Sequence, residues 1–157
     1  MKAALQAMTE ILFYHLQRQP LERVLPMLLE KSLERGWRVV VQASSDERVE
    51  ALDAYLWTYR DDGFLPHGTP KEAEAAEQPI LITSGGDNAN GAQVRFLVDG
   101  AGLPADMAAY QRLVLLFDGD DPEAVAAARE RWKEAKAEGF DATYWQPDDH
   151  GRWVKKA

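Results

Sequence analysis

The sequence predicts an α/β fold, a mostly parallel sheet with helices on both faces, and three observations carry that expectation. Short apolar runs alternate along the chain with segments whose apolar residues recur at helical spacing, as in strands interleaved with amphipathic helices. The runs Arg38–Ala43 (RVVVQA) and Arg112–Phe117 (RLVLLF) are continuous rather than alternating, which is the pattern of strands buried on both faces, so both belong in the interior of the sheet. No internal repeat and no break in composition divides the 157 residues. Residues 1–157 therefore read as a single domain, with 1–8 as a candidate N-terminal extension and 147–157 as a polar turn and basic tail.

Taken in order, Ile11–Leu16 (ILFYHL) is the first strand, bounded by Thr9 and Gln17. Pro20 opens a helix whose apolar stripe is Leu21, Val24, Leu25, Leu28, Leu29 and Leu33. Pro26 lies inside this pattern, so either the helix kinks there or its regular part starts there. Gly36 stops it, with Lys31 and Arg35 in the last turn. After the strand Arg38–Ala43, Ser45 followed by Asp46 and Glu47 marks a second helix start, and Val49, Leu52, Leu56 and Tyr59 supply its inward stripe. Residues 60–78 read as a loop, and the Ala/Glu-rich piece KEAEAAE within it as a solvated connector with at most a helical turn. Ile80–Thr83 and Val94–Val98 are strands separated by the turn-rich SGGDNANG, and Arg112–Phe117 follows them. Asp121 and Pro122 start a long helix through Glu138, stopped by Gly139, and Ala142–Trp145 is the next strand. Residues 152–156 form a short return strand or a tail.

Composition narrows the function. Hydrophobic residues make up 46 % and charged residues 28 %, within the range of ordinary soluble domains. The absence of cysteine excludes a disulfide scaffold, a thiolate metal site and a cysteine nucleophile. No apolar run approaches the ~20 residues that cross a bilayer, and Met1–Met8 lacks the apolar core of a signal peptide, so the expectation is a cytoplasmic protein without membrane contact. The formal net charge of −8 argues against direct nucleic-acid binding, which needs a strong basic footprint.

Enzyme chemistry finds little support. A doubly wound sheet places ligands at the C-terminal ends of its strands, but the segment after the first strand, QRQPLERV, has neither glycine fingerprint, and SGGDNANG leads to a strand rather than to a helix N-terminus. The fifth strand ends in Asp118, Gly119, Asp120 and Asp121, whose carboxylates suit either Mg²⁺ beside a phosphoester or a turn with an acidic helix cap. Without a nearby lysine or nucleophile the cap is favoured, and a small Mg-dependent phosphoester enzyme is kept as the alternative. His15, His67 and His150 have no metal-ligand spacing, and His67 reads as a hydrogen-bonding loop residue. No catalytic residue, cofactor or metal is assigned.

The segment from Tyr55 to Gly68 carries four aromatics out of a helix and into a loop. Trp57 lies about 100° off the stripe that holds Leu56, and Phe64 follows Gly63 in a polar loop. On the residues alone these form either a satellite cluster under the loop or an exposed anchor for a partner. Here the chain resembles the chi subunit family of bacterial DNA polymerase III holoenzyme. The most specific stretch is Asp53, Leu56, Trp57, Phe64, Pro66 and His67, and Phe13–Tyr14, Ile80–Ile82, Ala128–Lys133 and Gly139–Phe140 agree with it in order. The resemblance implies a nucleotide-binding-like α/β fold lacking a phosphate loop. It also implies a non-catalytic accessory subunit that joins the clamp loader through the psi subunit and grips the acidic C-terminal tail of single-stranded-DNA-binding protein (SSB). It places the psi contact on Trp57 and Phe64, where a helicase or other replication protein is a further candidate.

The long C-terminal helix bears on the tail. At ~100° per residue, Arg129, Lys133 and Lys136 fall within about 60° of one another, beside Val125 and Trp132. Glu130, Glu134 and Glu138 form a separate stripe, and Ala124, Ala128 and Ala135 a small-residue face toward the sheet. On the residues alone this is a solvated amphipathic helix with Trp132 packed inward. The resemblance turns it into the tail site: Trp132 and Val125 for a terminal phenylalanine, the Arg129 guanidinium for its carboxylate, and Lys133 and Lys136 for the upstream acids. Val125 stands where family members carry another basic residue.

Overall fold

The computed structural model describes residues 9–59 and 65–157. The expected extension at 1–8, and Phe64, lie outside the described residues. The elements are β1 (Glu10–Leu16), α1 (Leu21–Glu34), β2 (Val39–Gln42), α2 (Asp46–Thr58), β3 (His67–Gly68), β4 (Ile80–Thr83), β5 (Val94–Leu97), β6 (Arg112–Asp118), α3 (Pro122–Ala137), β7 (Asp141–Pro147) and β8 (Trp153–Lys155). The strands form one sheet in the order β3-β4-β2-β5-β6-β1-β7-β8. Every pairing is parallel except β7 with β8. The fold is the predicted α/β architecture, and β2 and β6, the two continuous apolar runs, are interior.

Local chemistry sets the helix ends. The Ser45 hydroxyl accepts the Arg48 N–H at 3.2 Å and caps α2. Gly36 and Gly139 stop α1 and α3 at φ of +79° and +86°, a left-handed conformation that strains side-chain-bearing residues. Pro26 is buried inside a helix that already runs regularly from Leu21, so the proline is not its start. The connector expected at 60–78 needs a correction. It contains β3, two residues that extend the sheet beside β4, while the Ala/Glu-rich piece holds only a 3₁₀ turn at Ala75–Glu77, as the sequence allowed. So short a strand has no local signature, because its hydrogen bonds come from a partner far along the chain. Residues 153–155 settle as a return strand, antiparallel to β7.

The sheet separates two apolar layers. On one face α1 and α2 pack with Val39, Val41, Ile80, Ile82, Val94, Phe96, Val114 and Leu116. On the other, Ile11, Phe13, Leu113, Leu115 and Ala142 pack with Ala135 and Trp132 of α3. Three helices do not cover both faces. On the α3 face, over β2 and β5, the cover is loop, and it is held by Arg95.

Arg95 is fully buried. Its five N–H groups meet five acceptor contacts: Gln42 Oε1 twice (3.0 and 2.6 Å), the carbonyls of Asp87 (3.2 Å) and Gly85 (2.6 Å), and the Tyr110 hydroxyl (3.1 Å). A buried charge is tolerated only with its donors satisfied, and here the acceptors come from β2, from the glycine-rich turn and from the segment before β6. Arg95→Met is therefore expected to strand several buried acceptors and cost roughly 3 kcal/mol or more. For a domain of this size that lowers the melting temperature by roughly 6–12 °C, readable by thermal unfolding. Tyr110→Phe, which removes one partner, should cost about 1 kcal/mol.

Candidate functional site

The predicted tail-binding residues lie on α3. Asp121 caps this helix through its Oδ1, which accepts the Glu123 N–H at 3.0 Å, with Pro122 in the first turn. Ala128 and Ala135 are buried against the sheet, Ala124 is half-buried, and their small side chains let the helix axis lie close. Arg129, Lys133 and Lys136 are exposed, while Val125 and Trp132 are half-buried.

Trp132 points inward. Its ring meets Phe13 edge-on at 5.4 Å and Tyr144 at 6.1 Å, and Lys136 Nζ stands 5.1 Å from its centroid. The indole is thus a wall built into the layer between helix and sheet, topped by a cation. Arg129 reaches the same place from the previous turn, and its charge acts on the Tyr144 phenol, opposing the larger effect of burial, which raises that pKa. Lys133 differs: its Nζ is 3.4 Å from Glu130 Oε1, an exposed pair that offsets part of its charge. Three of the five predicted residues, Arg129, Trp132 and Lys136, therefore meet at one place beside the sheet, Val125 is half-buried further toward the start of the helix, and Lys133 is tied to Glu130.

The floor of this surface comes from residues the sequence did not single out for it. Phe13 and His15 alternate onto the α3 side of β1, Phe117 onto that side of β6 and Tyr144 onto that side of β7. The signal was present in the alternation of β1, but the partner strands are set by pairing. His15 Nδ1 is 2.6 Å from the Tyr144 hydroxyl, and the His15 ring meets Phe117 edge-on at 5.3 Å. Burial pushes the His15 pKa below its ordinary value, against the pull of Asp120 and Asp118. Nδ1 is engaged by the Tyr144 hydroxyl, while Nε2 is a buried nitrogen with no hydrogen-bond partner among the described residues. It sits against Gly119, where a Cβ would overlap the imidazole.

At the C-terminal ends of β1 and β6 lies a cleft of about 770 Å³, the position in which α/β sheets seat ligands. It is lined by Glu22, Asp99, Asp118, Asp120, Asp121 and Glu123 against Arg18 and Arg48, and Arg48 is already paired with Asp99 (2.9 Å) and Glu22 (3.4 Å). A nucleotide's phosphates would meet carboxylates there. Asp118 Oδ1 accepts the Asp120 N–H at 2.9 Å, so Asp118 and Asp121 serve as turn and cap acceptors. Among the described residues no group of three or more His, Asp or Glu side chains could hold a metal ion, and no helix is long and apolar enough to cross a membrane.

The second predicted surface is centred on Trp57, which is 53 % exposed at the end of α2. Its ring rests on the buried imidazole of His67 at 4.5 Å. His67 Nδ1 is 2.6 Å from the Leu65 carbonyl oxygen, and Nε2 is 3.2 Å from the Asp53 carbonyl oxygen and 3.3 Å from its Oδ1. Asp53, Leu56, Trp57 and His67 are thus one local device: Leu56 anchors α2 in the core, Asp53 and Leu65 hold His67, and His67 supports Trp57.

Comparison with known proteins agrees on one family. The family described as DNA polymerase III chi subunit, HolC, matches residues 8–143, a span that includes all of α3 and the Trp57 segment. A protein of Rickettsia prowazekii (strain Madrid E) named probable DNA polymerase III subunit chi is 26 % identical over 121 residues, 71 % of each chain. A protein of Pseudomonas aeruginosa (strain PAO1) named DNA polymerase III subunit chi is 25 % identical over 115 residues, 72 % of this chain and 77 % of its own.

The lowered pKa of His15 has a sign that can be measured. The unfolded chain binds this proton more readily than the folded one, so stability is full above the unfolded pKa near 6.5 and is lost as pH falls toward the folded value. Denaturant unfolding between pH 7.5 and 5 should show falling stability, and His15→Gln should flatten that slope. An unchanged slope in the variant would assign the pH dependence to other groups.

Proposed function

The chain belongs to the DNA polymerase III chi subunit family, and from that premise we propose that it serves DNA replication as a non-catalytic adaptor, linking the holoenzyme's clamp loader to the acidic C-terminal tail of SSB. The observation that carries this reading is the surface on α3, where Arg129 and Lys136 flank Trp132 in a chain of net charge −8. An acidic peptide ending in an apolar residue needs exposed cations, a guanidinium for its terminal carboxylate and an apolar wall. Arg129, Lys136, Trp132 and Val125 provide these within about three turns of helix. Lys133 contributes less because Glu130 competes for it. The reading needs no cofactor and no direct contact with nucleic acid, and it places the protein in the cytoplasm.

The psi subunit is the proposed partner at the Trp57 surface, with Phe64 as its second anchor and a helicase as the other candidate occupant. What supports an interface there is a large aromatic ring held outward by a buried histidine rather than folded into the core.

A labelled copy of the SSB tail, titrated into variants, tests the first contact. Wild type should bind with an affinity on the order of 1 µM, about 8 kcal/mol, weakening with salt but persisting at high salt. Arg129→Glu should weaken binding by roughly tenfold or more, Lys136→Ala by less, and Lys133→Ala least. Trp132→Ala is not a clean probe, because removing the ring from Phe13 and Tyr144 should itself cost roughly 3 kcal/mol of stability. Equal affinity of wild type and a folded Arg129→Glu would move the tail site elsewhere.

For the second contact, Trp57→Ala should weaken capture of the psi subunit by ~2 kcal/mol while the melting temperature stays within a few degrees of wild type. Co-purification and thermal unfolding of the same variant separate the two effects. A large loss of stability with unchanged capture would make Trp57 a packing residue.

A further inference from the structure

The opposite face of the sheet carries a second groove, of about 440 Å³, between the last turns of α1 and the strands β1 and β6. Its apolar part is formed by Leu12, Leu28 and Val114, and its charged part by Lys31, Arg35 and Arg112, with Glu34 as the one acidic lining residue. Trp37 stands at this rim, with the guanidinium carbons of Arg35 and Arg112 at 5.0 and 5.2 Å from its ring centroid. Arg112 donates from Nε (3.1 Å) and Nη2 (2.8 Å) to a single oxygen of Glu10. Among the described residues, Arg112 Nη1, Lys31 Nζ and the Tyr14 hydroxyl make no hydrogen bond.

We propose that this groove seats an acidic peptide segment, with a carboxylate on Arg112 and Lys31 and an apolar side chain against Leu12, Leu28 and Val114. Charge complementarity chooses the occupant. In a chain of net charge −8 the groove carries three cations against Glu34 and the Glu10 carboxylate on Arg112, still a positive excess, whereas the larger cleft at the strand ends carries six acids against two arginines. Glu10 shows the bond that is available: a carboxylate already lies on one edge of the Arg112 guanidinium, and the other edge faces unused donors. The Tyr14 hydroxyl adds a donor beside the guanidinium, whose charge acts on that phenol. This site is independent of the one proposed on α3, since the two lie on opposite faces of the sheet.

The test uses the full chain carrying Arg129→Glu, which reverses the charge on the α3 face. A short peptide of alternating aspartate and leucine is titrated in, and the indole N–H signals of Trp37 and Trp132 are followed by NMR. The Trp37 signal should shift saturably, with a dissociation constant on the order of 10 µM, and Lys31→Glu with Arg35→Glu should weaken that response by roughly tenfold or more. Both substituted positions are exposed, so the fold should persist. A Trp37 signal that stays still, or one indifferent to the double charge reversal, overturns the proposal. An equal shift with oligothymidylate reassigns the groove to phosphate and overturns the peptide. Trp132 in the chain with native Arg129 reports the α3 site separately, so either site can fail without the other.

Discussion

A parallel sheet must be dry on both faces, because its strands expose as much apolar surface to one side as to the other. This chain meets that requirement with three helices among its described residues, two on one face and one on the other. Two regions, diagonally opposite, are left without a helix. One, over β2 and β5 on the α3 face, is covered by loops that Arg95 gathers with five hydrogen bonds. The other, over β1, β7 and β8 on the α1 face, is covered by aromatic rings: Tyr14 stacks with Trp145 at 6.4 Å and meets Trp153 edge-on at 4.9 Å. Polar satisfaction closes one region and aromatic packing the other.

The same shortage of helices explains where binding surfaces can arise. α3 is the only α-helix among the described residues on its face, which it shares with a 3₁₀ turn at Met107–Ala109, and the side chains at its margin share space with the sheet residues below. Arg129 and Lys136 are therefore presented above a packed aromatic layer of Phe13, Trp132 and Tyr144 rather than on a fully solvated helix. That layer holds the indole between Phe13 and Tyr144, with Lys136 Nζ over its ring.

Much of this was legible in the sequence. The continuous runs RVVVQA and RLVLLF, the caps at Ser45 and Asp121, and the stops at Gly36 and Gly139 are local signals, and each marks a real boundary or an interior strand. What could not be read was long-range. β3 exists only because β4 passes beside it. Arg95, in the run QVRFLV, looks like an outward-facing charge until both faces of β5 are known to be covered. His15 looked like a lone histidine because Tyr144, its hydrogen-bond partner, is 129 positions away. On α3, helical spacing anticipated that Arg129, Lys133 and Lys136 are exposed, but the pull of Glu130 on Lys133 depends on rotamers that spacing does not fix.

The two ends of the sheet carry a further consequence. An unpaired outer strand is a template for another chain, and long, flat, apolar ones promote aggregation. At one end this sheet terminates in β3, two buried residues; at the other it turns antiparallel into β8, three residues with Lys155 on the strand and Lys156 just beyond. Both rims are too short to register a long ladder, and one carries positive charge that would repel its own copy. The two rims of the sheet thus offer little template for edge-to-edge pairing between copies of the chain.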